Sequence, residues 1–204
     1  MAEKNRRLIG LTGGIATGKS TVSQYLSEKY KLPILDADIY SREAVKSGSG
    51  ILKKIFQRYG SQVRWPDGSL NRKSLGNIIF SNSDEKKWLE SQIHPYVNQR
   101  FDEAIQQHNS DLVLVIPLLF EAKLSDRVTE IWVVACSKAQ QIQRIMNRND
   151  LSEQEATQRI NQQLPLSEKI AQADIVIHND GSFEQLWLQI DSAFEENKRN
   201  YTLP

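Results

Sequence analysis

One loop near the N-terminus constrains the fold of this chain more than any other feature. Residues 13–20 have the sequence Gly-Gly-Ile-Ala-Thr-Gly-Lys-Ser, which satisfies the pattern G-x-x-x-x-G-K-[ST]. The apolar run 6–12 before this loop predicts a buried strand, and the spacing of apolar residues in 18–30 predicts a helix after it. A glycine-rich loop between a strand and a helix is typical of proteins that bind nucleotide phosphates.

Each part of this phosphate loop has a physical task. Its glycines permit positive φ and leave room for the backbone to surround a phosphate, towards which the loop N–H groups point. Lys19 can reach the β- and γ-phosphates of ATP, and the Ser20 hydroxyl can ligate Mg²⁺. The loop does not reveal whether the γ-phosphate goes to water, to protein or to a small molecule. We expect ATP contacts from Gly13, Gly14, Ile15, Ala16, Thr17, Gly18, Lys19, Ser20 and Thr21.

Four further apolar runs predict the rest of a sheet, at residues 32–35, 111–119, 129–135 and 174–178. Helical patterns lie between them, which predicts an α/β fold with a doubly wound, parallel, five-stranded sheet. About 70 residues separate the second and third strands, too many for one crossover helix, so they predict a helical insert with a turn at residues 66–68. Residues 181–201 predict a closing helix. We divide the single predicted domain into a core (1–38, 110–136 and 172–204), a helical substrate-binding insert (39–109) and a helical lid (137–171).

Two aspartates, Asp36 and Asp38, follow the second predicted strand. In an open α/β sheet, ligands bind at the carboxyl ends of the strands, so a carboxylate there is expected near the γ-phosphate. An acceptor hydroxyl needs a base to take its proton and orient its oxygen, and Asp38 is the candidate. It could also hold a magnesium-bound water, and the sequence does not separate these roles. Asp36 is the candidate for the cap of the next helix.

The predicted lid carries two arginines, Arg144 and Arg148, which lie four residues apart and so share one helix face. Phosphoryl transfer spreads negative charge over the equatorial oxygens, and guanidinium groups can stabilise it. We predict a catalytic role for both, with an ordinary surface position as the alternative. Arg159 is a further, weaker candidate.

Three other residues are candidates for the acceptor side. Glu121 could hold a magnesium-bound water or contact the substrate, and Arg72 could bind a substrate phosphate, with an ordinary charged surface position as the alternative for each. His94 could contact the substrate, or it could have a packing or capping role at a turn suggested by Pro95. A metal site at His94 is not expected, because no second histidine or cysteine lies at ligand spacing.

Composition excludes several classes of function. The formal net charge of +1 over 204 residues lacks the basic excess of a nucleic-acid-binding protein. The single cysteine, Cys136, rules out a disulfide within the chain and lies in an apolar run, which predicts a small buried side chain. No apolar segment is long enough to span a membrane. We therefore expect a cytoplasmic protein with small-molecule partners, as a monomer or weak oligomer.

Motifs along nearly the whole chain carry a family resemblance. They are Leu11-Thr-Gly-Gly-Ile15 leading into Gly18-Lys-Ser-Thr21, Asp36-Ala-Asp38 with Arg42, Gly68-Ser-Leu-Asn-Arg72, Ile79-Phe80, Ile93-His-Pro95, Pro117-Leu-Leu-Phe-Glu121 and Asn179-Asp-Gly181. In this order and spacing, the chain resembles the dephospho-coenzyme A kinases, which have a P-loop kinase fold. The resemblance implies a nucleotide-binding core, a helical coenzyme A subdomain and a lid.

The resemblance also implies the reaction and its partners, ATP with Mg²⁺ and dephospho-coenzyme A. The γ-phosphate would pass to the ribose 3′-hydroxyl, and Asn179 would lie on the adenine side of ATP. One position departs from the family pattern, because His178 stands where an acidic residue is frequent.

Two other functions share the phosphate loop. A kinase acting on a nucleoside or nucleotide would need a different acceptor pocket, and the long insert after Asp38 favours the coenzyme A precursor instead. A nucleotide-dependent switch would need a base-reading motif, and the chain has no Asn-Lys-x-Asp guanine signature.

Overall fold

The computed structural model describes residues 6–200, which form two compact units. Among these residues, one unit comprises 6–35 and 108–200, and the other comprises Asp36–Gln107. The strands are β1 (Leu8–Gly13), β2 (Ile34–Asp36), β3 (Leu112–Val115), β4 (Glu130–Ala135) and β5 (Ile175–His178). The α-helices are α1 (Lys19–Tyr30), α2 (Ala37–Ala44), α3 (Gly50–Tyr59), α4 (Arg72–Ser81), α5 (Ser83–Gln107), α6 (Lys138–Asn149), α7 (Glu153–Asn161), α8 (Leu166–Ile170) and α9 (Phe183–Asn200).

The five strands form one sheet in the order β2-β3-β1-β4-β5. Strand β1 pairs in parallel with β3 and β4, and β4 pairs in parallel with β5. The predicted fold class, an α/β fold with a parallel five-stranded sheet, is confirmed. Helix α9 matches the predicted closing helix, whose last residue, Tyr201, lies outside the described residues.

The core of the first unit lies between the sheet and two helices. Alternate strand residues such as Ile9 and Leu11 face Val22 and Leu26 of α1, and Ile190 of α9 completes the layer. All five side chains are inaccessible to solvent, and each such side chain stabilises the fold by about 1.5–3 kcal/mol. This packing fixes the position of the loop that joins β1 to α1.

Strand β3 is shorter than the sequence predicts, since it ends at Val115 rather than near residue 119. Pro117 has no N–H group to donate to a strand ladder. The chain turns there, and the N–H groups of Leu119 and Ala122 donate to the carbonyls of Ile116 and Leu118. Apolar character therefore continues past the point where strand pairing stops.

Cys136, which follows β4, is buried as predicted, and burial raises the pKa of its thiol.

The second unit consists of helices α2 to α5 around its own apolar cluster, which includes Ile55, Tyr59, Leu75 and Leu89. The predicted turn at residues 66–68 is confirmed by a hydrogen bond from the Gly68 N–H to the Trp65 carbonyl (2.9 Å). No helix within residues 6–200 is both long and apolar enough to cross a membrane.

The expectation of a turn at Pro95 is wrong. Pro95 lies inside the 25-residue helix α5, although a proline removes one helical hydrogen bond. Leu89, Val97 and Phe101 of this helix are buried on both sides of the proline, and Phe101 packs edge-on against Tyr40 (5.3 Å between ring centroids). Tertiary packing therefore outweighs the local preference of proline.

Candidate active site

The phosphate loop has a backbone that only glycine fits at two positions. Gly13 and Gly18 have φ values of 143° and 101°. A Cβ atom at Gly13 would stand 2.3 Å from the Val134 carbonyl oxygen, and one at Gly18 would stand 2.1 Å from Nδ2 of Asn179. Ala16 also has a positive φ of 59°, which is uncommon for a residue with a side chain and is frequent at functional sites.

Two side chains of the loop donate hydrogen bonds to carbonyl groups of the same loop. Lys19 Nζ donates to the carbonyls of Gly13 (3.1 Å) and Gly14 (2.7 Å), and Thr17 Oγ1 donates to Gly14 (3.0 Å). The ammonium group therefore lies against the loop. Ser20 is exposed in the first turn of α1, where its hydroxyl and the helix N-terminus are accessible to a ligand.

Carbonyl groups of the loop are held by side chains that come from later in the chain. Arg144 of α6 donates from Nη1 to Ala16 (3.3 Å) and Thr17 (3.4 Å), and from Nη2 to the Asn179 carbonyl (2.9 Å). Asn179 Nδ2 donates to Thr17 (2.8 Å). Arg144 and Asn179 therefore contact the phosphate loop through its backbone. The adenine contact expected of Asn179 stays a prediction, since its amide nitrogen is already bonded to the loop.

The two arginines expected to share a helix face have different surroundings. Arg144 is half-buried at the loop, whereas Arg148 is exposed and its Nε donates to Asn149 Oδ1 (3.1 Å). The buried residues of α6 are Gln141 and Ile145, so the helix approaches the loop through its first half and Arg148 lies beyond that contact. Arg159 lies half-buried on α7.

Glu121 forms an ion pair with Lys169, with 2.8 Å between Oε1 and Nζ, and Lys169 is inaccessible to solvent. Oε1 also accepts the N–H of Leu164 (3.0 Å). Burial opposes the charged form, but the hydrogen bonds from Lys169 and from backbone N–H groups outweigh it, so the pKa of Glu121 is lowered. The structure thus places Glu121 against Leu164 and Lys169 of the predicted lid, and its contact with substrate or a magnesium-bound water stays a prediction.

The second unit contains a cavity of about 360 Å³ with polar and apolar walls. Its polar lining includes Asp38, Arg42 and Arg72, and Arg72 Nη2 lies 3.4 Å from the Arg42 carbonyl. Its apolar lining is formed by Val45, Leu70, Leu75, Ile79, Leu89 and Ile93. His94 is exposed on α5 beside this lining.

Asp36 caps helix α2, as expected. Its Oδ1 accepts the N–H groups of Asp38 (2.7 Å) and Ile39 (3.3 Å). The cap leaves Asp38 in the first turn of α2, where its carboxylate lines the cavity.

Sequence reasoning missed Gln141 and Gln163, which both bond to Ile15. Gln141 Nε2 donates to the Ile15 carbonyl, and Gln163 Oε1 accepts the Ile15 N–H, each at 2.8 Å. Gln141 stands three residues before Arg144 on the same helix, and that spacing was the one available signal. Gln163 lies outside a helix, so the sequence gave no signal for it.

Comparison with known proteins agrees with this geometry. A family model described as dephospho-CoA kinase matches residues 7–185. The dephospho-CoA kinase of Trichormus variabilis is 58% identical over 189 residues, which cover 92% of this chain and 96% of the relative. A solved structure from Thermus thermophilus has a TM-score of 0.80 at 33% identity and covers 94% of this chain and 97% of its own. The solved dephospho-CoA kinase from Campylobacter jejuni has a TM-score of 0.70 at 27% identity and covers 95% and 98%. On the extent of the family match and the identity to its members, this chain belongs to the dephospho-CoA kinase family.

Proposed function

We propose that this chain phosphorylates the ribose 3′-hydroxyl of dephospho-coenzyme A with ATP, the last step of coenzyme A biosynthesis, through the phosphate loop, Asp38 and the lid arginines. Family membership supports the reaction. The observation that carries the assignment of residues is the loop 13–20, whose glycine conformations, lysine and helix N-terminus suit a triphosphate.

On the ATP side, the loop N–H groups and the N-terminus of α1 would hold the phosphates. Lys19 already lies against the loop and would exchange its carbonyl contacts for phosphate oxygens. The exposed hydroxyl of Ser20 is a hard oxygen ligand, which fits Mg²⁺, and the ion would neutralise charge on the β- and γ-phosphates. Asn179 would contribute to the adenine side.

On the acceptor side, we assign the cavity of the second unit to dephospho-coenzyme A. Its apolar wall suits the pantetheine arm, and Arg42 and Arg72 suit the phosphates of the acceptor. His94 and Glu121 remain candidates for further acceptor contacts. The core, the insert of residues 39–109 and the lid of residues 137–171 would thus bind ATP, bind the acceptor and cover the reaction, respectively.

In the proposed reaction, the 3′-hydroxyl oxygen forms a bond to the γ-phosphorus, and the bond from that phosphorus to the β–γ bridging oxygen breaks. ADP leaves, and the hydroxyl proton passes to the Asp38 carboxylate. The transition state is loose, so orientation of the hydroxyl matters as much as removal of its proton. Arg144 would place positive charge beside the loop, and Arg148 would contact the transferring phosphoryl group.

Product formation with a panel of acceptors tests this function. Purified protein, ATP and Mg²⁺ would be incubated with dephospho-coenzyme A, adenosine, AMP and shikimate, and ADP would be measured. Of these four acceptors, we expect only dephospho-coenzyme A to give ADP. If a nucleoside or nucleotide were turned over as fast as dephospho-coenzyme A or faster, the proposed acceptor would be wrong. We also place the reaction in the cytoplasm, where ATP is abundant, with the protein acting as a monomer or weak oligomer.

A further inference from the structure

The peptide groups on the two sides of Ile15 point in opposite directions. The Gly14 carbonyl accepts from Lys19 Nζ (2.7 Å) and Thr17 Oγ1 (3.0 Å), so it faces the interior of the loop. In a trans peptide the C=O and the following N–H point opposite ways, and the described residues contain no cis peptide. The Ile15 N–H therefore faces away from the loop interior, where it meets Gln163 Oε1 at 2.8 Å.

The next peptide group is reversed. The Ile15 carbonyl faces outward and accepts from Gln141 Nε2 (2.8 Å), so the Ala16 N–H faces the loop interior. Gln141 is buried, with 3% of its surface exposed, and its Nε2 stands 2.5 Å from the position of a Cβ at Gly14. The two glutamines thus hold both polar groups of Ile15 on one side of the loop, and the change of direction at Ile15 depends on them.

Gln163 is itself anchored by its neighbours. The Leu164 N–H donates to Glu121 Oε1 (3.0 Å), and Glu121 pairs with the buried Lys169. Lys169 Nζ also donates to the Pro117 carbonyl (3.1 Å). A cavity of about 560 Å³, lined by Gly14 and by residues 160, 161 and 163–167 among others, lies beside this segment. These contacts fix the segment that carries Gln163, whose hydrogen bond to Ile15 links residues of the predicted lid to the loop.

We propose that Gln163 is a positioning residue of the phosphate loop, which holds the Ile15 N–H away from ATP and thereby turns the Ala16 N–H towards the phosphates. Gln141 supports the same orientation from the carbonyl side. The inference rests on the proposed function only in taking the loop as the ATP site. It assigns the Ile15 N–H to Gln163, although the loop motif predicts an ATP contact from Ile15, and leaves the Ala16 N–H as the group that faces the phosphates.

The test uses Gln163→Met in the full chain, with Gln162→Met as the matched control. Gln162 is the exposed neighbour of Gln163. Hydrogen exchange of the Ile15 amide, measured by NMR, should accelerate about tenfold in Gln163→Met, as expected for loss of one hydrogen bond, and should stay unchanged in the control. Gln163→Glu keeps an acceptor oxygen and should retain the slow exchange. Unchanged exchange in Gln163→Met, or equal acceleration in Gln162→Met, would overturn the proposal.

A second measurement shows whether Gln163 or a phosphate oxygen accepts the hydrogen bond from the Ile15 N–H. A non-hydrolysable ATP analogue should leave the Ile15 amide of Gln163→Met fast, because no phosphate oxygen replaces Gln163. Full restoration of slow exchange by the analogue would contradict the proposal. In steady state, the KM for ATP should rise roughly three- to tenfold and the KM for dephospho-coenzyme A should stay within about twofold. The exchange measurements need no turnover, so failure of the proposed reaction would be seen separately in the wild-type assay.

Discussion

Gly18 illustrates how a single residue constrains the site. Its φ is 101°, and a Cβ atom on this residue would stand 2.1 Å from the Asn179 amide nitrogen, so there is no room for a side chain. The same amide nitrogen bonds to the Thr17 carbonyl, so the close approach serves to hold the loop. Glycine at this position therefore follows from the contact as well as from the backbone angle.

Asp38→Asn should lower turnover by about 10²- to 10⁴-fold with ATP binding nearly intact, because the change removes the proposed base and keeps the size of the side chain. Asp36→Asn is the matched control, since asparagine caps a helix about as well as aspartate and the cap of α2 should survive. Steady-state kinetics and ATP titration measure both. Wild-type kcat in Asp38→Asn would refute the catalytic assignment.

The lid arginines should differ in their kinetic effect. Arg148→Ala should lower kcat roughly 10- to 100-fold, the value of a charged hydrogen bond, and should raise the KM for ATP less. Arg144→Ala also removes contacts to the carbonyls of Ala16 and Thr17, so both constants should change. Gln143→Ala, on the exposed side of α6, is the control. A pure KM effect of Arg148→Ala would reduce that residue to a ground-state contact.

At the scale of elements, local sequence patterns predicted those features that local physics decides. Apolar runs predicted the five strands, and the loop motif predicted the turn between β1 and α1. Contacts between residues that lie far apart in the sequence left no local pattern of this kind. Gln163 meets Ile15 across 148 positions of sequence, and Glu121 meets Lys169 across 48. Their partners become apparent only when the sheet brings the segments together.

In the second unit, helix α5 continues through Pro95 because its apolar face is buried, which the local sequence pattern did not predict.

A charged contact joins the first turn of α5 to α3. Glu85 accepts from Arg58 Nε (2.6 Å) and Nη2 (2.9 Å) and from the Tyr59 hydroxyl (2.6 Å). The hydrogen bonds from Arg58 and then Tyr59 lower the pKa of Glu85 from 4.5 to about 2.

This pKa predicts a defined pH dependence. The folded-state pKa lies below the unfolded value, so the contact stabilises the fold fully above pH 4.5 and loses its effect as the pH falls towards 2. Glu85→Gln should therefore destabilise the protein at pH 7, and the difference from wild type should shrink between pH 4.5 and 2. Urea unfolding, followed by tryptophan fluorescence, measures it. A constant difference across that range would contradict the assignment, and Glu90→Gln is the control for an exposed helical ion pair.

At the scale of the whole molecule, each unit has its own apolar core and its own candidate binding feature. The phosphate loop and its contacts with Arg144 and Gln163 belong to the first unit, and the cavity with Asp38, Arg42 and Arg72 belongs to the second. This division predicts that the two substrates protect different parts of the chain.

Hydrogen exchange followed by mass spectrometry tests that division. Dephospho-coenzyme A alone should slow exchange in α2 and α4, and ATP alone should slow it in the loop and the start of α1. The apolar lining of the cavity gives the reason, because a bound pantetheine arm would exclude water from it. Protection of α2 and α4 by ATP, with none by dephospho-coenzyme A, would show that the acceptor binds elsewhere.

The position of the transferred phosphate tests the central claim most directly. Wild-type protein would be incubated with ATP, Mg²⁺ and dephospho-coenzyme A, and the product analysed by ³¹P and ¹H NMR. Lys19→Ala is the control, since it should lose nearly all turnover while its unfolding midpoint stays within about 5 °C of wild type. We predict one new monoester on the ribose 3′-oxygen for each ADP formed, and none with Lys19→Ala. Release of inorganic phosphate instead, or a monoester at another position, would contradict the proposed function.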